Sequence, residues 1–263
     1  MKDSWRLFRR DHPAGSLWVM YCTGVTLPDE GASAGRSLCT VATIELEHPT
    51  PNGLGTSDEV DGLEEAVTAL EQDLERKFDA LFVARVRGHG KIELVIYSAQ
   101  QADHPVLELI ESSFADREVT VSQIQDLDWS VYQRCAPNSE EHWRVLLDES
   151  TCISAEHGDE ISLTRIVDHF SYFPDKARSR EFAVRTKPLG MKSNIRPAAD
   201  PSPAEAWLVL SHHRCTALTK DLLPIVLKLV DIAKECDGRY DGWEMPAART
   251  TLWGRIRRLF GAD

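Results

Sequence analysis

The order of strand-like and helix-like segments in the second half of the chain constrains its fold more than any other feature. Strand-like runs of β-branched and aromatic residues cover 164–173, 190–196 and 206–212, and helical periodicity covers 176–187 and 219–236. Asp237 and Gly238 stop the second helix, and Tyr240 and Trp243 follow in a last strand or turn. Right-handed crossovers fold this order most simply into an antiparallel four-stranded sheet with both helices on one face.

The first half of the chain repeats that order behind one additional strand. Strand-like runs cover 17–26, 38–46, 81–87, 92–98 and 117–124, and helical stripes begin at Ser57 and cover 106–114. Gly88-His-Gly90 reads as the turn of a hairpin rather than a phosphate loop, because a strand and not a helix follows it. The predicted fold class is therefore α+β, with two tandem ferredoxin-like (split βαβ) domains, each an antiparallel sheet with helices on one face.

Composition changes and turn residues place the domain boundaries. We predict an N-terminal α+β domain over 14–136, a connecting helix over 137–157 that opens at Pro137, and a second ferredoxin-like domain over 158–246. Residues 2–10 form a short basic and aromatic lead that predicts a frayed terminus. Residues 247–263 form a basic amphipathic tail.

The charge is negative and unevenly distributed. The chain of 263 residues has a net charge of −12, and residues 11–136 alone carry 22 acids against 8 bases. This acidic body disfavours direct nucleic-acid binding and favours either solubility or docking to a basic protein segment. No stretch approaches the run of about 20 apolar residues that a transmembrane helix needs, and no apolar secretory core follows the charged N-terminus. We therefore expect a cytoplasmic protein.

The cysteines and histidines do not form a recognisable metal motif. The six cysteines are dispersed without a C-x-x-C pair, which indicates reduced, structural thiols. His169 and His213 lie on strands that the predicted topology sets side by side, and a metal or acid/base site there competes with satisfied or solvent-facing histidines. The predicted cofactor and metal content is none.

Acidic and aromatic residues cluster at the predicted end of each domain. Asp241 and Glu244 are either an acid/base pair or capping groups for backbone amides beside the Gly242 turn. Trp129 and Trp243 are either partner anchors or plugs for the open ends of their own sheets. The candidate partner-binding residues are Tyr240, Asp241, Trp243, Glu244, Asp128 and Trp129.

The tail forms an apolar stripe with arginines mostly off it. Trp253 belongs to the stripe, and Arg255 and Arg258 are among the flanking charges. Such a segment can lie on an anionic membrane surface, enter a partner's groove or dock back onto the acidic first domain. These three residues are the candidate contacts of the tail.

Residues 158–244 resemble the B-type regulators of ribonuclease E activity. The matching marks are Gly158-Asp159, the strand 167–173, Leu189-Gly190, the Trp207 strand and, most specifically, 238–244. Residues 14–136 are similar to an uncharacterised bacterial domain family fused ahead of that module, recognised by the first strand pair and the Asp-Leu-Asp-Trp-Ser-Val-Tyr132 ending. The resemblance implies a cytoplasmic, ferredoxin-like protein that binds the large RNA-degrading endonuclease away from its catalytic centre. It implies no cofactor and no catalytic set, and the role of Tyr240, Asp241, Trp243 and Glu244 stays open.

The first functional hypothesis is a non-enzymatic regulator of RNA decay that docks to an endoribonuclease through an acidic surface. The second is an enzyme or small-ligand-binding protein that uses a cleft between the domains, with His169, His213 and Asp241 as polar groups. The third is a peripheral membrane adaptor that attaches through residues 250–260. None of the three fixes an oligomeric state.

Overall fold

A computed structural model describes residues 5–25, 27, 35–99 and 103–248, and the chain divides into two units, Met1–Glu141 and His142–Asp263. Each unit is a mixed α+β structure built on one antiparallel sheet, and the described residues form six α-helices. The expected α+β class and the two sheets are confirmed. Within the described residues, no helix is long and apolar enough to cross a membrane.

The first unit contains a six-stranded sheet. Its elements are β1 (Trp5–His12), β2 (Gly15–Cys22), β3 (Leu38–Glu45), α1 (Ser57–Phe78), β4 (Leu81–Gly88), β5 (Lys91–Ser98), α2 (Asp103–Ser113), β6 (Val119–Gln125) and α3 (Ser130–Cys135). The strand order is β1-β2-β4-β5-β3-β6 with every neighbouring pair antiparallel. The predicted hairpin over Gly88-His-Gly90 is confirmed, because β4 pairs with β5.

The expectation of a frayed N-terminus is wrong for the described residues of the lead. Trp5 to His12 pair residue by residue with β2. Phe8 is buried, the Trp5 ring packs 5.5 Å from the Phe82 ring, and Arg10 donates to Glu141 at 2.8 Å. The sequence hides this strand because apolar and basic residues share its faces: the guanidinium of Arg10 lies over the ring of Phe8, 5.2 Å from its centre.

Helices α1 and α2 cover one face of the first sheet. The α1 stripe of Leu63, Val67, Leu70 and Leu74 packs in one buried cluster with inward residues of β3 and β5, as the periodicity predicts. The two helices predicted for this unit therefore share a face, and the short helix α3, which was not predicted, lies on the other. Successive residues of a strand face opposite sides, so Tyr97 points away from the cluster, and there it stacks on Trp129 at the start of α3.

The boundary between the two units falls within α4 (Ser139–Glu156). The second unit contains the rest of this helix and a four-stranded sheet. Its further elements are β7 (Arg165–Phe173), α5 (Lys176–Thr186), β8 (Lys192–Pro197), β9 (Trp207–Cys215), α6 (Thr219–Glu235) and β10 (Arg239–Glu244). The strand order β10-β7-β9-β8 is antiparallel throughout and leaves β10 at an edge. Side chains of α4, α5 and α6 share one buried cluster with inward residues of β7 and β9.

Candidate functional site

The last strand of the second unit carries a β-bulge that aims its aromatic residues. Tyr240 pairs with Ser171, and Asp241 and Gly242 then share the next place on β7, so that Trp243 pairs with His169. Residues three apart on a regular strand face opposite sides, and the extra residue turns Trp243 to the side of Tyr240. Gly242 has a φ of 146°, which side chains rarely adopt. Gly242 therefore allows the backbone conformation that the bulge requires.

On the inner face, Tyr240 begins a buried chain of hydrogen bonds. Its hydroxyl lies 2.7 Å from Nδ1 of His169, and Nε2 of His169 lies 3.1 Å from Nδ1 of His213. With Tyr240 as donor, His169 donates onward and the chain ends at the Nε2–H of His213. That atom has no hydrogen-bond partner among the described residues. The two histidines are thus brought together, as the predicted strand neighbours required.

Burial sets the protonation of this chain. Burial, and then the neighbouring His213, lowers the pKa of His169 from 6.5 to about 3, and burial also lowers the pKa of His213. Burial and nearby Asp241 raise the pKa of the Tyr240 hydroxyl. All three groups are therefore neutral at neutral pH, and their bonds hold β10 to β7 and β9.

A tryptophan of α4, Trp143, packs against the Tyr240 end of this hydrogen-bond network. The Trp143 ring lies 5.0 Å from the Tyr240 ring and 6.1 Å from the Trp243 ring. The sequence reasoning missed Trp143. The feature of the sequence that could have indicated a buried Trp143 is its spacing to Leu147, which is buried and lies four residues later on the same face of the helix.

On the outer face, Asp241 is bound within its own sheet. It pairs with Arg239, which also donates to Glu205 at 2.6 Å and stacks over the ring of Tyr172 at 5.5 Å. These two acids raise the pKa of Arg239, through hydrogen bonds first and charge second. Asp241 therefore lies on the opposite side of the sheet from His169 and His213.

Two carboxylates with no cationic partner face each other at the end of the edge strand. Glu244 pairs in register with Asp168, and neither makes an ion pair within the described residues. Both line a cavity of about 530 Å³ together with Trp243 and two hydroxyls of α4, those of Ser150 and Ser154. Like charges directly opposite on neighbouring strands repel, so this position favours a positively charged ligand group.

A buried ion pair fixes the chain that follows β10. Arg165 donates to both oxygens of Asp159 at 2.7 and 2.6 Å, and each side chain is 4% exposed. Arg165 also donates to the carbonyl of Pro246, and Asp159 accepts from the amide of Ala248. The Gly158-Asp159 mark of the sequence thus anchors the end of the edge strand.

In the first unit, the two candidate partner-binding residues of the Asp126–Tyr132 stretch differ in their exposure to solvent. Trp129 is fully buried, stacks 3.9 Å from Tyr97 and donates its indole N–H to the Arg36 carbonyl, whereas Asp128 is exposed. Asp126 accepts from Tyr97 and from the amides of Ser130 and Val131. This placement fits the plug interpretation of Trp129 and leaves Asp128 accessible.

The remaining candidates give no site. Trp253, Arg255 and Arg258 lie outside the described residues. Among the residues that are described, no group of three or more His, Cys, Asp or Glu side chains could hold a metal ion. All six cysteines are free, and four are buried.

Comparison with known proteins divides the chain in two. Residues 154–245 match the family described as Regulator of ribonuclease activity B. The match begins near the end of α4 and includes β7 to β10, with the Tyr240 chain and the Asp168–Glu244 pair. Residues 17–134 match a family of unknown function (DUF695). The resemblance inferred from the sequence is confirmed for both parts.

The other comparisons add little. No curated protein matches the chain. A crystal structure of an unknown protein from Galdieria sulphuraria matches 80% of this chain and 99% of its own at 10% identity. Its TM-score is 0.23, so that likeness carries no argument about the fold.

Proposed function

We propose that this chain is a non-enzymatic regulator of RNA decay that binds an endoribonuclease of the ribonuclease E type through an acidic surface. The observation that carries the proposal is the match of residues 154–245 to the ribonuclease-regulator family. The contact lies at the edge strand β10, where that region presents Glu244 beside Asp168. The partner segment is basic.

The geometry of β10 supports this contact in two ways. An edge strand has unpaired backbone groups that an extended peptide can join by strand addition. The Asp168–Glu244 pair and the adjoining cavity then accept a lysine or arginine of that peptide, which relieves the repulsion between the two carboxylates. In this arrangement the backbone hydrogen bonds of strand addition provide affinity, and the two carboxylates provide specificity for a basic segment.

The net charge of the chain supports a fast encounter with such a partner. The total is −12, and residues 11–136 contribute 22 acids and 8 bases. Complementary charge raises the association rate and makes it dependent on salt. The first unit thus contributes to steering without forming the specific contact.

Calorimetric titration of the chain with a purified ribonuclease E-type enzyme tests the proposal. The double variant Asp168→Asn, Glu244→Gln removes the facing charges, and we expect at least tenfold weaker binding at moderate salt. The double variant Asp200→Asn, Asp231→Asn is the matched control, because both residues are exposed and neither belongs to β7, to β10 or to the lining of the cavity beside them. Absence of binding at low salt, or equal loss in the two variants, would refute the proposal.

A small-ligand-binding or enzymatic role in an inter-domain cleft is a weaker alternative. This hypothesis requires the side chains of His169, His213 and Asp241 to converge on one site, and they do not. The histidines bond to each other inside the second unit, and Asp241 pairs with Arg239 on the other face. The membrane-adaptor alternative rests on residues 250–260, which lie outside the described residues, and liposome partitioning with and without that tail tests it.

We also propose the finer architectural assignments. The division is an N-terminal domain over 14–136, to whose sheet β1 adds a further strand, a connecting helix over 137–157, a regulator-like domain over 158–246 and a basic tail over 247–263. Both domains are ferredoxin-like. The strand orders β4-β5-β3-β6 and β10-β7-β9-β8, each in the sequence strand, helix, strand, strand, helix, strand, support that assignment. The proposed location is cytoplasmic.

A further inference from the structure

Three connections of the first unit enclose a second cavity. They are the turn between β1 and β2, the 49–54 loop after β3, and the turn between β4 and β5. The cavity measures about 710 Å³, within the usual range of about 300–1,000 Å³ for small-molecule sites. Arg9, Trp18, Asn52 and His89 are among the residues that line it.

The walls of this cavity are held by backbone contacts. The Gly90 amide donates to the Gly53 carbonyl at 3.0 Å, and the Gly90 carbonyl accepts from Leu46 at 2.8 Å. A Cβ atom at Gly53 would lie 2.7 Å from the backbone nitrogen of His89, so only glycine fits there. The loop and the turn therefore form one fixed wall.

His89 occupies a backbone conformation that its side chain disfavours. It and Gly90 have φ values of 54° and 79° in a two-residue hairpin turn, the arrangement that prefers Asn-Gly or Asp-Gly. Its ring is exposed and lies 4.9 Å from the ring of His12. Asparagine suits this turn better than histidine does, so turn geometry alone does not account for the residue at this position.

Trp18 and Arg9 both line the cavity, and a second arginine, Arg87, flanks Trp18 on the other neighbouring strand. Trp18 pairs in register with Arg9 on β1 and with Arg87 on β4. Arg87 makes no ion pair or hydrogen bond within the described part of the chain, and burial together with nearby Arg85 lowers its pKa. Arg9 donates to Asp11 at 3.1 Å, but both side chains are exposed and such a pair is worth little.

We propose that this cavity binds a small planar ring that carries an anionic group, of the nucleoside monophosphate class. The ring stacks on Trp18, where stacking tolerates any base. The anionic group meets the guanidinium of Arg9 and the imidazole of His89, and the amide nitrogen of Asn52 donates to the ligand. This site is separate from β10, and its test does not depend on the ribonuclease proposal.

Titration of the full chain with adenosine monophosphate, adenosine and inorganic phosphate separates the two halves of the ligand. We expect the monophosphate to bind at least tenfold more tightly than either adenosine or phosphate. Arg9→Gln and Trp18→Leu each weaken its binding at least tenfold. Arg76→Gln, on the exposed last turn of α1, is the charge-matched control and leaves the affinity unchanged.

The variant His89→Asn separates a ligand role from a structural one. Asparagine suits the turn, so the melting temperature rises by a few degrees while binding of the monophosphate weakens. The proposal is overturned if the monophosphate does not bind at millimolar concentration, if phosphate alone binds equally well, or if Arg9→Gln and Trp18→Leu leave the affinity unchanged. Unchanged binding by a stabilised His89→Asn would equally overturn the assignment of His89.

Discussion

Acidification is expected to weaken the second unit through His169. In the unfolded chain this imidazole has an ordinary pKa of about 6.5, and in the folded chain burial and His213 lower its pKa to about 3. The unfolded chain therefore binds more protons than the folded chain between these values. The stability that the neutral imidazole contributes is fully present above a pH of about 6.5 and is lost as the pH falls toward about 3.

The size of this effect follows from linkage. One pKa unit corresponds to about 1.4 kcal/mol, so the share of His169 in the loss between pH 7 and pH 5 is about 2 kcal/mol. His169 is fully buried, and solvent screening does not reduce this value as it would for an exposed group. Carboxylates that titrate in the same range add to the total loss, and a variant is needed to isolate the histidine.

Urea unfolding at pH 7 and pH 5, followed by the NMR amide signals of β7 and β9, measures the stability of this unit. We expect the wild type to lose about 2 kcal/mol more than His169→Gln, because glutamine does not titrate. His157→Gln, at the exposed end of α4, serves as the control and should behave as the wild type. Equal losses in the wild type and His169→Gln would refute the assignment of a buried neutral imidazole.

Three further substitutions test the structure around the edge strand, each by urea unfolding at neutral pH. Tyr240→Phe leaves the neighbouring imidazole without its hydroxyl partner and should cost about 1–3 kcal/mol; a cost near zero would contradict the buried chain. Gly242→Ala forces a side chain into a positive φ and should cost about 1–3 kcal/mol, whereas Gly62→Ala, in the exposed interior of α1, should stabilise by about 0.5–1 kcal/mol. Arg165→Met leaves Asp159 buried and without its cationic partner and should cost about 3–5 kcal/mol; a cost below about 1 kcal/mol would contradict the buried ion pair.

Periodicity in the sequence predicted the elements with the strongest patterns. The helical stripes of α1 and α6 and the hairpin after β4 follow from local spacing, and each is observed. The placement of His169 beside His213 follows from topology, because both residues lie on strands that the element order makes neighbours. Local pattern and topology are therefore sufficient to predict that His169 and His213 lie side by side.

Features that depend on long-range packing could not be predicted in this way. The bulge at Asp241 and Gly242 changes which residues share a face, and alternation along the strand gives no sign of it. The pairing of β1 with β2 and the stacking of Trp129 on Tyr97 are decided by distant partners. For the same reason the facing carboxylates of Asp168 and Glu244 appear only once the register is known.

Whether the chain regulates RNA decay can be measured as the rate at which a ribonuclease E-type enzyme cleaves a substrate RNA in the presence of increasing amounts of this chain. We predict a saturable change in the cleavage rate, no cleavage of RNA by the chain alone, and a weaker effect at higher salt. The variant Asp168→Asn, Glu244→Gln should need at least tenfold more protein for the same change. A cleavage rate that is independent of the chain at low salt, with the enzyme active and the chain folded, would contradict the proposed regulatory function.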